Sequence, residues 1–420
     1  MLLKNAMVCH SDFQFRRSDI HIKGKIIDGV YSVSDAQGPK DAMSSVQCDS
    51  ACALTVSGDV QIIDIGGYYA VPGYIDIHVH GGGGADTCDD SATAVFELSS
   101  HLARYGVSSF CATTMTIDEP SLMAALTHVD HFFRDTPNGA KLIGVHLEGP
   151  FLSPSRSGVQ SSEVLQLPEI NLVNKIESRF PGLLKIIDVA PELPGADEFI
   201  RTFSKDYALS ISHSDADYDI TRRAVALGLR HATHLYNAMR PIHHKAPGPV
   251  CAILEDSSVT AELICDLVHI HPSLLALTFK ILGPNRAVIV SDAMRGAGMP
   301  DGKYKLGNAL VKVYNGRTDF GDGRLAGSVS SVAEGVRNLV SIGVPLEDAI
   351  RAATINPARV IGVGQMTGSI EEGKLADITI LDDRLIPVLT ICEGRIIYQS
   401  TMNTSTSGAT IDRNGENVHD

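Results

Sequence analysis

YIDIHVHGGGG (residues 74–84), followed by SATAVFELSSHLARYG (residues 91–106), decides how this chain is read. The first run alternates. In an extended strand Ile75, Ile77 and Val79 fall on one side, and Asp76, His78 and His80 on the other. The glycines at 81–84 then let the backbone turn without side-chain bulk. The second run has a helical rhythm. The same couplet recurs: VSSFCATTMT then PSLMAALTHVDHFFRD, KLIGVHLEG then LPEINLVNKIESRF, LLKIIDVAPEL then DEFIRTFSKDY, ALSISHSDA then TRRAVALGL. Strand-like VTAELICDLV and AVIVSDAM follow, with PSLLALTFKILG and VSSVAEGVRNLVSIG as helical partners. Alternation of this length predicts an α/β fold with a parallel sheet, and the count approaches eight. The expectation is a (β/α)8 TIM-like barrel over residues 72–362.

Outside that span the texture changes. LLKNAMVCH, SDIHIKGKIIDGV, ALTVSGDVQIIDIGG and YYAVPG, within residues 1–71, are rich in β-branched residues and glycine. GSIEEGKLADITILDDRLIPVLTICEGRIIYQS, within 363–400, has the same character. The two chain ends are therefore expected to build one small β-sandwich domain together. Residues 32–50 are polar and unpatterned and read as a long loop; 401–420 read as a disordered tail.

The chain has 420 residues, 44% apolar and 20% charged, which suits a globular core. Its net charge of −14 argues against nucleic acid or an anionic membrane as partner. An anionic metabolite can still be held by local cations and helix N-termini. The first residues carry no long apolar segment or cleavage pattern, and no run of about 20 apolar residues occurs. The eight cysteines are scattered and form no CxxC pair, so they read as reduced, mostly buried thiols in a cytoplasmic protein.

In a (β/α)8 barrel, chemistry sits at the C-terminal ends of the strands. HATHLYNAMRPIHHKAPG (residues 231–248) holds four of the sixteen histidines. The run before it, TRRAVALGLR, reads as a helix closed by Gly228, which sets His234 at the end of a short strand. His243 reads as an ordinary exposed loop histidine. GVHLEGPFLS offers Glu148 at a strand end, and SISHSDA offers His213. AVIVSDAM places Asp292 after a buried apolar run, where an acid is costly unless a site pairs or solvates it. Any one of His78, His80, Glu148, His213, His234 and Asp292 could be a satisfied core residue; all of them at strand ends are not explained that way. Their N/O donors suit Zn²⁺ first, with Fe²⁺, Co²⁺ or Mn²⁺ as alternatives, rather than Ca²⁺ or Mg²⁺.

HLEGPF, THLYNAM, the Ser291–Asp292–Ala293 triplet, LAGS at 325–328, TINPA and GSIEEGKLADI together resemble the amidohydrolase superfamily. Within it they resemble the N-acetylglucosamine-6-phosphate deacetylase family, over most of the chain. That resemblance implies a metal-dependent barrel with a composite β-domain. It implies that Glu148, His213 and His234 are core metal ligands and that Asp292 is the catalytic acid/base. It implies substrate contacts at Asn237, Ala238 and His269, and a backbone segment, Leu325, Ala326 and Gly327, lying against the sugar. His78 and His80 stand where many members carry a Gln or Asn pair, so a second ion bridged by Glu148 is possible, giving one or two per subunit.

The chain departs from the family pattern in three places. Gly-Ala-His after EGPF reads Gly158-Val159-Gln160; Gln160 can donate a hydrogen bond but carries no charge. Where an arginine would clamp a phosphate, Lys245 stands, a point charge without the bidentate fork. Ser212 replaces a glycine before His213. The expected activity is hydrolysis of the acetamide of N-acetylglucosamine 6-phosphate to glucosamine 6-phosphate and acetate. The alternatives are the galacto epimer as substrate, a cyclic-amide hydrolase, or a non-catalytic relative acting as an interaction protein. The expected partner is a small amino-sugar phosphate, with the Lys245 loop reaching a neighbour's site in a homodimer.

Overall fold

The computed structural model describes residues 1–33, 53–57, 60–135, 138–321 and 323–400. The expected polar loop past residue 33 and the expected disordered tail lie outside the described residues. Eight parallel strands are present: β1 (Tyr74–Val79), β2 (Val107–Thr113), β3 (Lys141–Leu147), β4 (Leu184–Val189), β5 (Ala208–Ile211), β6 (His231–Ala232), β7 (Thr260–Ile264) and β8 (Ala287–Val290). Each pairs with the next in chain order. The ring closes just beyond β8, where Asp292 N donates to His78 O and His80 N donates to Ala293 O, both at 2.9 Å.

Helices separate the strands for local reasons. Tyr218–Leu227 starts because the Asp217 side chain accepts from Ile220 N, and ends at Gly228 with φ 123°. It buries Thr221, Ala224 and Val225 against the barrel. Such faces share a large apolar cluster with the strands, while Ile75, Ile77, Ile186, Ile264, Val288 and Val290 form a separate one.

The regular alternation expected of β1 does not hold. All six of its residues are buried, as befits a strand covered on both sides. Val79 joins the large cluster while Ile75 and Ile77 join the other. The pairing of β2 with β1 shifts register between Phe110 and Ala112, and this irregularity breaks the period of two. Gly81 is needed after it: a Cβ there would stand 2.3 Å from Ala85 O.

Both chain ends do share a sheet. Its order runs Arg395–Gln399, Pro387–Cys392, Ile378–Leu381, Tyr69–Pro72, Leu2–Cys9, Phe15–Lys23, Ile26–Ser32, with Ala53–Ser57 and Val60–Asp64 branching from Leu2–Cys9. Ile27 at one end and Ile391 near the other bury their side chains in one core, a sandwich made from a continuous sheet. A further antiparallel sheet, Gly302–Leu306, Ala309–Tyr314 and Arg317–Asp319, follows β8 and was not expected. Cys9, Cys88, Cys111, Cys251, Cys265 and Cys392 are free thiols, four of them buried. No helix among the described residues is long and apolar enough to cross a membrane.

Candidate active site

Four barrel strands deliver the expected ligands to one point. His78 lies in β1 and His80 just after it; Glu148 follows β3, His213 follows β5, and His234 follows β6. Asp292 enters from the end of β8. His213, His234 and Asp292 adopt left-handed backbone, with φ of 43°, 30° and 47°. Non-glycine residues in this region cost of order 1–3 kcal/mol each, and such strain persists mainly where function requires an aimed side chain.

The Glu148 carboxylate is the hub. Its Oε1 lies 3.0 Å from His234 Nε2 and 3.3 Å from His213 Nε2, and its Oε2 lies 3.2 Å from His80 Nε2. Gln160 Nε2 donates to Oε2 at 2.6 Å, while Gln160 Oε1 accepts from Thr116 N at 2.7 Å. The neutral amide of Gln160 thus braces the hub carboxylate. Asp292 Oδ1 stands 3.4 Å from His80 Nε2 and 3.5 Å from His78 Nε2.

This donor set fits a divalent ion. Glu148, His213 and His234 have one ligand atom each within mutual coordination reach, as do His78, His80 and Glu148. His213 Nδ1 donates to Arg156 O at 2.7 Å and His78 Nδ1 faces Glu262 Oε2 at 2.8 Å, which turns both Nε2 atoms toward the cluster. His78 Nε2 and His80 Nε2 point at each other across 3.3 Å, so at most one can carry a proton. Electrostatics agree. Burial would lift the Glu148 pKa, but hydrogen bonds from His213, His234 and His80 outweigh it and hold the carboxyl well below the usual range. Burial would likewise raise Asp292, yet the His80 hydrogen bond and the positive field of the surrounding histidines bring it down. His234, which burial alone would depress, is pushed up to about 9 by Glu148. Metal binding would displace such protons from the rings.

These groups open into a cavity of about 330 Å³. Glu148, His80, His213, His234 and Asp292 line it, as do Val159, Gln160, Asn237, Ala238, His269, Leu325, Ala326 and Gly327. His78 lies fully buried behind the wall. Lys245 does not line it; that residue is exposed on a loop whose His243 is also exposed. His269 Nδ1 is 2.7 Å from Asp266 Oδ2, which leaves Nε2 as the ring atom free for a ligand.

Two functional candidates escaped the sequence reading. Arg324 is the sole Lys or Arg among the described residues lining the cavity, and its guanidinium lies 5.1 Å from the Phe320 ring centre. It adjoins the LAGS motif, which is the signal that could have marked it. Glu262 lies in β7, fully buried beneath the histidines. An acid inside the apolar run TAELIC invites the argument that singled out Asp292.

The profile of the Amidohydrolase family matches residues 69–413. The N-acetylglucosamine-6-phosphate deacetylase of Bacillus subtilis (strain 168) is 37% identical over 335 residues, 79% of this chain and 85% of that protein. An N-acetylgalactosamine-6-phosphate deacetylase of Escherichia coli O157:H7 is 37% identical over 316 residues, 75% of this chain and 84% of that protein. Among solved structures, an N-acetyl-D-glucosamine-6-phosphate deacetylase mutant of Mycobacterium smegmatis, in complex with N-acetyl-D-glucosamine-6-phosphate, superposes with a TM-score of 0.84 at 27% identity. The match covers 94% of this chain and 99% of that one.

Proposed function

The chain belongs to the amidohydrolase family, and from that premise we infer that it hydrolyses the acetamide of N-acetyl-D-glucosamine 6-phosphate to D-glucosamine 6-phosphate and acetate. The observation that carries this reading is the Glu148 hub with His213, His234, His80 and Asp292 at the mouth of a sugar-sized cavity. The family is metal-dependent, and Glu148, His213 and His234 would hold the core ion. His78 and His80, sharing Glu148, would hold a second. Zinc suits these donors best, with iron, cobalt and manganese as alternatives. A bound divalent ion supplies Lewis acidity toward the acetyl carbonyl and the attacking water.

The chain's own groups do the rest. Asp292, kept ionised by its histidine neighbours, accepts a proton from the attacking water. It then returns that proton to the departing amine nitrogen, which is otherwise a poor leaving group. Gln160 steadies Glu148 and, with Val159, walls the acetyl side. Asn237, Ala238 and the Leu325, Ala326 and Gly327 segment orient the sugar, and His269 presents Nε2 to the phosphate. Arg324 adds a permanent cation to a cavity that otherwise holds Glu148 and Asp292. Lys245, outside its own chain's cavity, would serve the neighbouring subunit's phosphate in a homodimer. The protein would act in the cytoplasm on a small-molecule substrate.

A second substrate reading has one observation in its favour: a relative at 37% identity is named for the galacto epimer. Acetate release from the gluco and galacto N-acetylhexosamines, each with and without the 6-phosphate, decides between them. The fastest turnover is expected on the gluco 6-phosphate. Turnover confined to the galacto 6-phosphate would overturn the substrate assignment, and none on any of the four would overturn the function.

A further inference from the structure

Beneath the cluster lies a fully buried carboxylate that does not line the site's cavity. Glu262 Oε2 is 2.8 Å from His78 Nδ1 and accepts from His234 N at 3.2 Å; its Oε1 is 3.1 Å from His231 Nε2. His231 Nδ1 in turn is 2.6 Å from Thr260 Oγ1. Glu262, His78 and His231 are all buried to within 1%. The oxygen that accepts from His234 N is the one that faces His78 Nδ1, so the imidazole donates there and the carboxylate accepts.

That contact dictates the state of His78. With Nδ1–H given to Glu262, a neutral ring has only a lone pair at Nε2. That lone pair faces Asp292 Oδ1 at 3.5 Å and Glu148 Oε1 at 3.9 Å. Lone pair against carboxylate is unfavourable unless a cation lies between them. The tautomer is wrong for bonding those acids and right for ligating an ion. The neighbouring His146 makes the contrast. Its Nδ1 is 3.1 Å from Ile77 O and its Nε2 is 2.9 Å from Asp188 Oδ1, so both nitrogens donate to oxygens and neither is free to ligate. His78, His146 and Glu262 lie within coordination distance of one another yet form a hydrogen-bonded base, not a third ion site.

We propose that Glu262 is the positioning residue that commits His78 to the metal-ligating tautomer, on which retention of the second ion depends. The proposal rests on the metal-centre reading above. Glu262→Gln preserves the network, because its Oε1 can accept from His78 and His234 N while its amide donates to His231 Nε2. Glu262→Met keeps similar volume and removes the acceptors. Apoprotein is reconstituted with Zn²⁺, and ions per subunit are counted by elemental analysis, with circular dichroism reporting the fold. Two ions are expected in the wild type and in Glu262→Gln, and one in Glu262→Met and in His78→Ala. Glu262→Met retaining two ions, or losing both while folded, would overturn the role of Glu262. A wild type whose ion count is unchanged by His78→Ala would overturn the two-ion reading itself. Should the Met variant not fold, wild-type protein labelled with 15N-histidine gives the answer: His78 must show Nδ1–H, and an Nε2–H tautomer in the metal-loaded protein would overturn the proposal.

Discussion

Asp292 combines three properties that a proton shuttle needs: left-handed backbone at φ 47°, a place on the cavity wall, and a carboxyl held ionised by His80 and its neighbours. Asp292→Asn keeps the shape and removes the proton acceptor. It is expected to lower kcat at least about 10²-fold while sugar-phosphate binding and metal content persist. A metal-loaded variant turning over near the wild-type rate would contradict the role. The phosphate end has a test of its own. Arg324→Ala and Lys245→Ala are each expected to raise KM for the phosphorylated sugar about tenfold, the loss of a charge-assisted contact worth about 1.5–3 kcal/mol. An equal change with the unphosphorylated sugar would remove that residue from phosphate binding. At this scale the sequence was informative wherever a polar residue ended an apolar run, as at Glu148, His213, His234 and Asp292. For Arg324 it offered only adjacency to the LAGS motif; the weight of that residue comes from the absence of any other Lys or Arg from the described cavity wall.

The strands and helices of the barrel follow from their periodicity, but two elements depended on longer-range effects. In β1 the alternation is visible, yet the shifted register with β2 sends Val79 away from Ile75 and Ile77. No local pattern encodes a neighbour's register. The sheet after β8 did carry a signal. Asn315 and Gly316, both with positive φ, form the tight turn that a strand–Asn–Gly–strand pattern announces. The barrel's strand–helix rhythm, which runs from β8 to the helix at Val332–Ser341, masks that signal. That sheet matters because Thr318 Oγ1 donates to Gly327 O at 2.8 Å, tying it to the cavity wall. Val311 is fully buried in its small core and does not line the cavity. Val311→Ala, costing about 2 kcal/mol locally, is expected to raise KM severalfold with unchanged metal content and to expose the sheet to limited proteolysis. Unaltered KM with a loosened sheet would show that the sheet does not shape the substrate wall.

At the scale of the whole molecule, the union of the chain ends was legible as matching texture, whereas the strand order was not, since pairing across the chain has no local sequence signature. The β-domain is fastened to the barrel by Thr390 Oγ1 donating to Ala103 O at 2.8 Å, Thr379 Oγ1 donating to Gly106 O at 2.7 Å, and Glu393 paired with Lys141 of β3, while Lys25 pairs with Glu393 from within the β-domain. Burial would raise the Glu393 pKa, but the hydrogen bonds from Lys141 and Lys25 lower it. Its contribution to stability is therefore complete above the unfolded value near about 4.3 and is lost as pH falls through the lower folded value. Glu393→Gln should lower Tm at pH 7, and the gap from wild type should shrink as thermal scans move into acid; a gap independent of pH would contradict the pairing. The most direct test of the central claim follows acetate and glucosamine 6-phosphate released from N-acetylglucosamine 6-phosphate by the chelated protein, before and after Zn²⁺ is restored. Equimolar products are expected only after restoration. Release by fully metal-free protein, or none by the restored protein, would contradict the account.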